Sequence, residues 1–531
     1  MRTRGIWEES TEEECWRLTG KEPVSCRWVD TNKGTEAKPS ARSRMVARDF
    51  KGKDKDREDL FAATPSWELK RVLMSRTATR GKRGVRKLLL VDAKKAHLNP
   101  RCDEDVFIRL PEEAGGGVGK LQFWLYGFRQ AAAALEEHHA KKFVECGFRR
   151  GLANPVCFYH VERDISVAVH GDDFTYSAAD ADLDWAEEKI SSWFEVKVRA
   201  RLGPEPQDDK QAVLLGRIVK VTEEGFECEA DPRHREVIVK EFGFDENTKG
   251  AVTAGSKEDY GDELDCGDEL GKSEAKSFRS LAARMNFVAV DMPDIQFSVK
   301  EVCRLMATPR TTSWVPLKRI ARYLVSRPKV FWEFHWCEEY GPWKVVTDSD
   351  WAGCSRTRKS TSAGVIMLGS HCVKTWSRGQ EATALSSAEA EYYAMVDGVT
   401  RAKGLKTASE ELGVQSELEV DMNRGVFECY TDSSAAKAMA SRRGSGRSRH
   451  IEVRHLWLQG EVARGLVRVR KIKGTENPAD VGTKFLGKHD MQEKLGRIGI
   501  RLEFAQIAEQ GGSAPRRTSW ADETEADNQC F

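Results

Sequence analysis

Two short stretches constrain what this chain can fold into more than anything else in it. Leu88-Leu89-Leu90-Val91 is an apolar run that ends at Asp92, the pattern of a buried strand closing on a carboxylate. Ile165-Ser166-Val167-Ala168-Val169 and Phe174-Thr175-Tyr176 flank His170-Gly171-Asp172-Asp173, which predicts a β-hairpin with an acidic pair in its turn. Short polar side chains favour turns on their own account, so the acidic pair by itself decides nothing.

A second α/β unit follows. Val345-Val346-Thr347-Asp348, Val365-Ile366-Met367-Leu368 and Val373-Lys374-Thr375-Trp376 read as strands, and Phe427–Tyr430 as another before Thr431-Asp432-Ser433. Ser386-Ser387-Ala388-Glu389 fits a capping box opening a helix that runs towards Leu405. Within the first unit, Ala131 to Cys146 predicts a helix stopped by Gly147, and between the two units Phe278 to Leu324 predicts helix with breaks near Pro293 and Pro309. The acidic stretch 256–274 predicts a surface loop or linker, and the polar tail from Gly511 predicts disorder.

Length allows two to four domains among the 531 residues. Lys plus Arg number 85 and Asp plus Glu 84, so a nucleic-acid partner needs local basic surfaces rather than global charge. Apolar runs are too short for a membrane span, and no secretory leader pattern opens the chain. The 13 cysteines form no C-x-x-C pair, which points to a reducing intracellular compartment, cytoplasmic or nuclear, and away from a zinc ribbon. His138, His139, Cys146, Cys157 and His160 match no common zinc spacing. Trp343, Trp351 and Trp376 read as core rather than as base-stacking platforms. Ser441–His450 is the strongest local basic run, either a solvated loop or a contact to phosphates.

Several blocks in order carry a resemblance. Ser43-Arg44-Met45-Val46-Ala47-Arg48-Asp49-Phe50, Val91-Asp92-Ala93-Lys94-Lys95-Ala96-His97-Leu98-Asn99, Leu125-Tyr126-Gly127-Phe128-Arg129-Gln130-Ala131 and His170-Gly171-Asp172-Asp173 resemble successive blocks of copia-type reverse transcriptases. Leu214-Leu215-Gly216-Arg217-Ile218, Phe278-Arg279-Ser280-Leu281, Pro293-Asp294-Ile295 and Lys318–Leu324 resemble the segment that follows. Thr347–Gly353, Arg358–Ser362, Ala384–Tyr392 and Asn477-Pro478-Ala479-Asp480 resemble the family's RNase H domain. The resemblance covers roughly residues 27 to 486. There are departures. His97 stands where the family has an aromatic residue, Asp49 where it has Gly, Ala132 where it has Pro, Leu135 where it has Trp, and His170-Gly171 where it has Tyr-Val.

The resemblance implies an α/β multidomain fold, a fingers-palm-thumb reverse transcriptase followed by an RNase H-like mixed-sheet domain. The expected division is an N-terminal polar extension 1–26, fingers and palm 27–190, a thumb and connection region 191–340 containing the linker 256–274, an RNase H-like domain 341–486, and a C-terminal tail 487–531 disordered after 510. It implies two catalytic, metal-binding carboxylate sets: Asp92, Asp172 and Asp173 for nucleotidyl transfer, and Asp348, Glu391, Asp432 and Asp480 for cleaving RNA in a hybrid. Each would hold two Mg²⁺ or Mn²⁺ ions, since all-oxygen ligands suit hard cations. Asp350 competes with Asp348, and Glu389 with Glu391. Arg44, His97, Tyr126 and Gly127 are implied to line the nucleotide site. The expected partners are an RNA template, a DNA primer, an RNA–DNA hybrid and dNTPs, with no membrane. Neither a protease nor an integrase motif occurs, so a partial or truncated polyprotein is expected. The alternative is a catalytically decayed relic that retains at most nucleic-acid binding.

Overall fold

The computed structural model describes residues 2–32, 34, 38–50, 60–245, 247–260, 264, 266–414, 427–446 and 450–505. Four sheets organise them. The first is five-stranded, in the order Trp7–Ser10, Val118–Leu121, Phe107–Arg109, Val24–Asn32, Ala41–Ala47. The second is six-stranded, in the order Val196–Leu202, Lys87–Ala93, Asp173–Ala178, Ile165–His170, Cys157–His160, Arg149–Arg150. Lys87–Ala93 lies inside that sheet and is buried along nearly its whole length, as its apolar run requires.

The third sheet runs Gln211–Leu214, Arg217–Val221, Gly225–Glu229, Lys329–His335, Ile500–Glu503. The helices Lys272–Val288, Pro293–Cys303 and Trp314–Ser326 lie between its third and fourth strands in sequence. Their interruptions fall beside Pro293 and Pro309, where proline removes a backbone donor. The fourth sheet runs His371–Gly379, Thr361–Leu368, Trp343–Asp350, Phe427–Thr431, Val467–Lys471. It is mixed: Trp343–Asp350 pairs antiparallel with Thr361–Leu368 and parallel with Phe427–Thr431. The parallel pairing needs a crossover, which contains the helix Ser387–Glu411. Ser386 caps that helix by accepting from the Glu389 amide at 3.2 Å, worth about 1 kcal/mol.

Three expectations change. The first 26 residues are not a separate extension: Trp7 pairs with Leu121 at the edge of the first sheet, and Ile6, Trp7 and Cys15 are buried. A four-residue edge strand buries too few side chains to leave a period in the sequence. The stretch opening at Ser256 is not simply surface loop either. Asp259 is buried, accepts from the Ser256 amide at 2.7 Å and pairs with Arg319 at 3.3 Å, while Tyr260 stacks on Phe485. Residues 261–263 and 265 of that stretch, and the tail expected to be disordered after 510, lie outside the described residues. Trp351 is 49% exposed rather than core, its indole N–H donating to the Ala384 carbonyl, whereas Trp343 and Trp376 are buried.

The helix Trp67–Ala78 joins the units. Every residue from Leu69 to Ala78 is buried, including Lys70, Arg71 and Arg76. Arg71 donates to Asp291 and to the Val290 carbonyl, each at 2.9 Å, and lies 3.4 Å over the Trp332 ring. Asp291 also receives Arg217 at 2.8 Å. Removing one member of a buried charge cluster strands the others, so Asp291→Ala should cost about 3–5 kcal/mol. Denaturant unfolding of the variant against the parent chain checks this; a loss under about 1 kcal/mol, the scale of an exposed pair, would contradict it.

Candidate active sites

Antiparallel pairing puts the first acidic set together. Asp173 faces Asp92 directly in register, and the turn Gly171–Asp172 closes the hairpin. The Asp172 carbonyl accepts from the Ala93 amide at 2.9 Å, tying the turn to the strand end that carries Asp92. Burial is the largest influence on the Asp173 carboxyl and raises its pKa; Arg199 pulls it down, Asp172 and Asp92 push it up, and the net direction is upward. Arg199 pairs with both Asp92 and Asp173, at 3.0 Å from the latter.

Beside this set stand the expected nucleotide-site residues. The rings of His97 and Tyr126 lie 5.2 Å apart, and the Arg44 guanidinium is 5.7 Å from the Tyr126 ring centre. Arg44 Nε is buried and makes no hydrogen bond among the described residues. Burial lowers the His97 pKa, with Asp172 opposing, so the imidazole is neutral at physiological pH. Gly127 explains how the loop fits: its φ is +93°, and a Cβ there would come within 2.3 Å of the Ala47 carbonyl oxygen. The Ala47 amide donates to the Tyr126 carbonyl at 2.8 Å, so the loop is stitched to the strand that carries Arg44.

The second set is tighter. Ligand atoms of Asp348, Asp432 and Asp480 all lie within 4.8 Å of one another. Glu391 reaches the same cluster from the helix Ser387–Glu411; one of its oxygens accepts from the Ser349 amide at 3.1 Å, and the other is buried with no hydrogen-bond partner. Gly398 lets that helix approach the strand carrying Asp348, since a Cβ there would sit 2.6 Å from the Thr347 methyl. Asn477 positions Asp480 by capping the turn Pro478–Gly482, accepting from the Ala479 amide at 3.0 Å, with proline at the first position. Burial first, then mutual repulsion of the carboxylates, pushes Asp348 up to about 7 and Glu391 up to about 8.

The two competing acids fall elsewhere. Glu389 accepts from the Tyr393 hydroxyl at 2.6 Å, from His450 at 2.8 Å and from the Leu385 amide at 3.2 Å, an end-of-helix role. Asp350 faces Lys300 and Glu301 instead of the cluster. His139 sits in an aromatic nest of Phe143, Phe158 and Phe174, and burial takes its pKa down to about 3. His160 packs on Phe148 and Trp185. Of the basic run 441–450, residues 447–449 lie outside the described residues.

Sequence reasoning passed over the cations that face the carboxylates. Lys484 contacts Asp480 at 2.5 Å and Asp348 at 3.7 Å, Lys494 contacts Asp480 at 2.9 Å, and Thr483 donates to Asp348. Lys484 could have been found four residues after Asp480, one helical turn on. Arg199 had no signal, because Val196-Lys197-Val198-Arg199 alternates like any strand with a solvated face.

The six-stranded sheet and the mixed five-stranded sheet thus each carry one acidic set. Residues 14–203 match the family model described as reverse transcriptase (RNA-dependent DNA polymerase). The Pol polyprotein of tobacco (Nicotiana tabacum) transposon TNT 1-94 is 25% identical over 499 residues, covering 91% of this chain and 36% of that protein. The Pol polyprotein of Arabidopsis thaliana transposon RE1 is 23% identical over 497 residues, covering 90% of this chain and 32% of that protein. Over most of its length the chain is similar to these transposon Pol polyproteins, and it spans about a third of their length. Among solved structures, a foamy viral protease-reverse transcriptase in complex with an RNA/DNA hybrid aligns with a TM-score of 0.45 and 12% identity, covering 88% of this chain and 52% of that one.

The raised carboxyls have a consequence for stability. Their ordinary values are 3.8 and 4.5, so between those values and about 7 to 8 the folded chain holds protons that the unfolded chain has released. Stability therefore falls as pH rises through that window. Without divalent cations, the Tm of the chain should drop from pH 5 to pH 8, and Glu391→Gln should flatten the slope. Thermal melts across that range check it; an unchanged slope in the variant would refute the assignment.

Proposed function

We propose that this chain is an RNA-directed DNA polymerase that also cleaves the RNA strand of an RNA–DNA hybrid. The observation that carries the polymerase half is the in-register facing of Asp92 and Asp173 beside the His97, Tyr126 and Arg44 group. The residues suit divalent cations: the burial and like-charge repulsion that raise Asp173, and the buried partnerless oxygen of Glu391, both favour a hard cation there. Asp92, Asp172 and Asp173 would hold one set of Mg²⁺ or Mn²⁺ ions, and Asp348, Glu391, Asp432 and Asp480 the other. When bound, the ions supply Lewis acidity to the attacking and leaving oxygens.

The chain's own residues do the rest. Arg44 offers an unsatisfied guanidinium N–H to a triphosphate, and Tyr126 and Gly127 shape the floor against which the incoming nucleotide rests. His97 faces the sugar. In the second site, Asn477 and Thr483 hold Asp480 and Asp348 in place. RNA template, DNA primer, hybrid and dNTPs are the proposed partners, in a cytoplasmic or nuclear setting that the free thiols of the described cysteines suit. Exposed Trp351 and Arg443 offer stacking and phosphate contact near the hybrid.

The proposal is tested by separating the two activities in the full chain, with a primed RNA template, dNTPs and Mg²⁺. Asp172→Asn should abolish extension and leave RNA cleavage within about threefold, because the second cluster has its own ligands. Asp432→Asn should do the reverse. Loss of both activities in a folded Asp172→Asn chain would overturn the two-site reading, and no activity in the parent chain would favour the decayed relic.

His97 makes a finer prediction. An imidazole is smaller than a phenyl ring and can hydrogen-bond a 2′-hydroxyl, so it should discriminate against ribonucleotides less well than His97→Phe, by about 1–3 kcal/mol. The ratio of kcat/KM for dNTP and rNTP insertion in both proteins measures this. Equal ratios would remove His97 from the sugar gate.

A further inference from the structure

The strand Val196–Leu202 pairs regularly with Lys87–Ala93 until the register shifts between Val198 and Ala200, leaving Arg199 as the extra residue of a β-bulge. Bulges re-aim side chains, and this one aims Arg199 across the sheet edge at the acidic set. One guanidinium nitrogen bridges two carboxylates, touching Asp92 Oδ1 and lying 3.0 Å from Asp173 Oδ1. These oxygens come from the two residues that face each other in register. Arg199 remains 41% exposed, so nothing encloses its side chain and solvent is open to it. No other cation pairs with Asp92 or Asp173 in the described ion pairs, although Lys70 acts on Asp173 from within the core. The second cluster repeats the arrangement with Lys484, which spans Asp480 and Asp348.

We propose that Arg199 is an internal counter-cation of the palm carboxylates: its guanidinium occupies the Asp92 and Asp173 oxygens and has to leave before a divalent cation takes them. The inference rests on the reading that this acidic set holds metal. Arginine stays charged at every accessible pH, so the competition is set by cation concentration and not by proton uptake. A bound state in which the guanidinium is in place for most of the time lowers the apparent cation affinity by the fraction of chains in which it has left. Arg199 is thereby a positioning residue that sets how much cation the polymerase site demands, and in the cation-free chain it screens the repulsion between Asp92 and Asp173.

The test uses Mn²⁺ and the full chain in an Asp348→Asn/Asp432→Asn background, which weakens the second cluster. Mn²⁺ binding is followed by electron paramagnetic resonance and by the rise in Tm on adding Mn²⁺. Arg199→Gln should bind Mn²⁺ about three- to tenfold more tightly than the parent. It should also melt lower without cation and gain more on adding it. Arg199→Lys, which keeps the charge, should stay closer to the parent. Equal or weaker Mn²⁺ binding in Arg199→Gln would overturn the proposal, since a merely structural arginine would not restrain the cation. Asp92→Asn is the control for the underlying reading: if it leaves Mn²⁺ binding unchanged, the acidic set is not a metal site, and both readings fall. If it weakens binding while Arg199→Gln changes nothing, only the counter-cation role is lost.

Discussion

The fold depends on three cations buried on one helix. Lys70, Arg71 and Arg76 of Trp67–Ala78 are each withdrawn from water, and each is partnered by a different part of the chain. Lys70 donates to the Ala168 carbonyl and Thr175 in the hairpin that carries the acidic turn. Arg71 holds Asp291 and Trp332 next to the third sheet. Arg76 pairs with Asp164 at 2.5 Å and reaches the Gly413 carbonyl just past the helix that carries Glu391. On the same helix, Glu68 pairs with Lys374 and Ser75 bonds His371 at 2.8 Å, both in the fourth sheet. A buried charge tolerates its position only when every partner is present, so this helix requires the units to assemble around it.

That requirement gives the two candidate sites one framework. A single core cluster runs from Leu73 and Leu90 through Val219 and Trp332 to Val345 and Val399, with no apolar break between the second, third and fourth sheets. Glu411 strengthens the same junction by accepting from the backbone amides of Leu152, Ala153 and Asn154 at 2.6–2.9 Å. The strand Ile500–Glu503 returns after the fourth sheet to pair with Lys329–His335, so the chain closes back on the third sheet. Boundaries near 340 and 486 are therefore changes of sheet within one packed body, not breaks between separate ones.

The two acidic sets differ in how their repulsion is managed. Asp92 and Asp173 are partly open to water, and one arginine lies between them. Asp348, Asp480 and Glu391 are buried; burial and repulsion favour protons on Asp348 and Glu391, and Lys484 and Lys494 lie against Asp480. A water-accessible site can trade one counter-ion for another at modest cost, whereas a desolvated one holds whatever neutralises it more strongly. The difference comes from depth in the sheet and not from ligand chemistry, which is carboxylate in both.

The sequence alone determined the parts that rest on local pattern. The strand ending at Asp92, the hairpin around Asp172, the helix beginning after Ser386 and the interruptions near Pro293 and Pro309 follow from apolar periods, turn chemistry, capping and proline, all of which act within a few residues. The order of motif blocks carried the resemblance to reverse transcriptases. Tertiary structure decided what pairs with what across hundreds of residues. It separated Glu391 from Glu389, which emerge on different faces of one helix, and Asp348 from Asp350, which lies at the strand's end beside Lys300 and Glu301. It drew Trp7 into a sheet, left Trp351 exposed and turned Arg199 onto two aspartates through a bulge. It also buried Lys70, Arg71 and Arg76, which in sequence look like the solvated face of a helix. The burial of a charge depends on partners such as Asp164 and Asp291, which lie 88 and 220 residues away from the arginines they hold, and no local pattern encodes that distance.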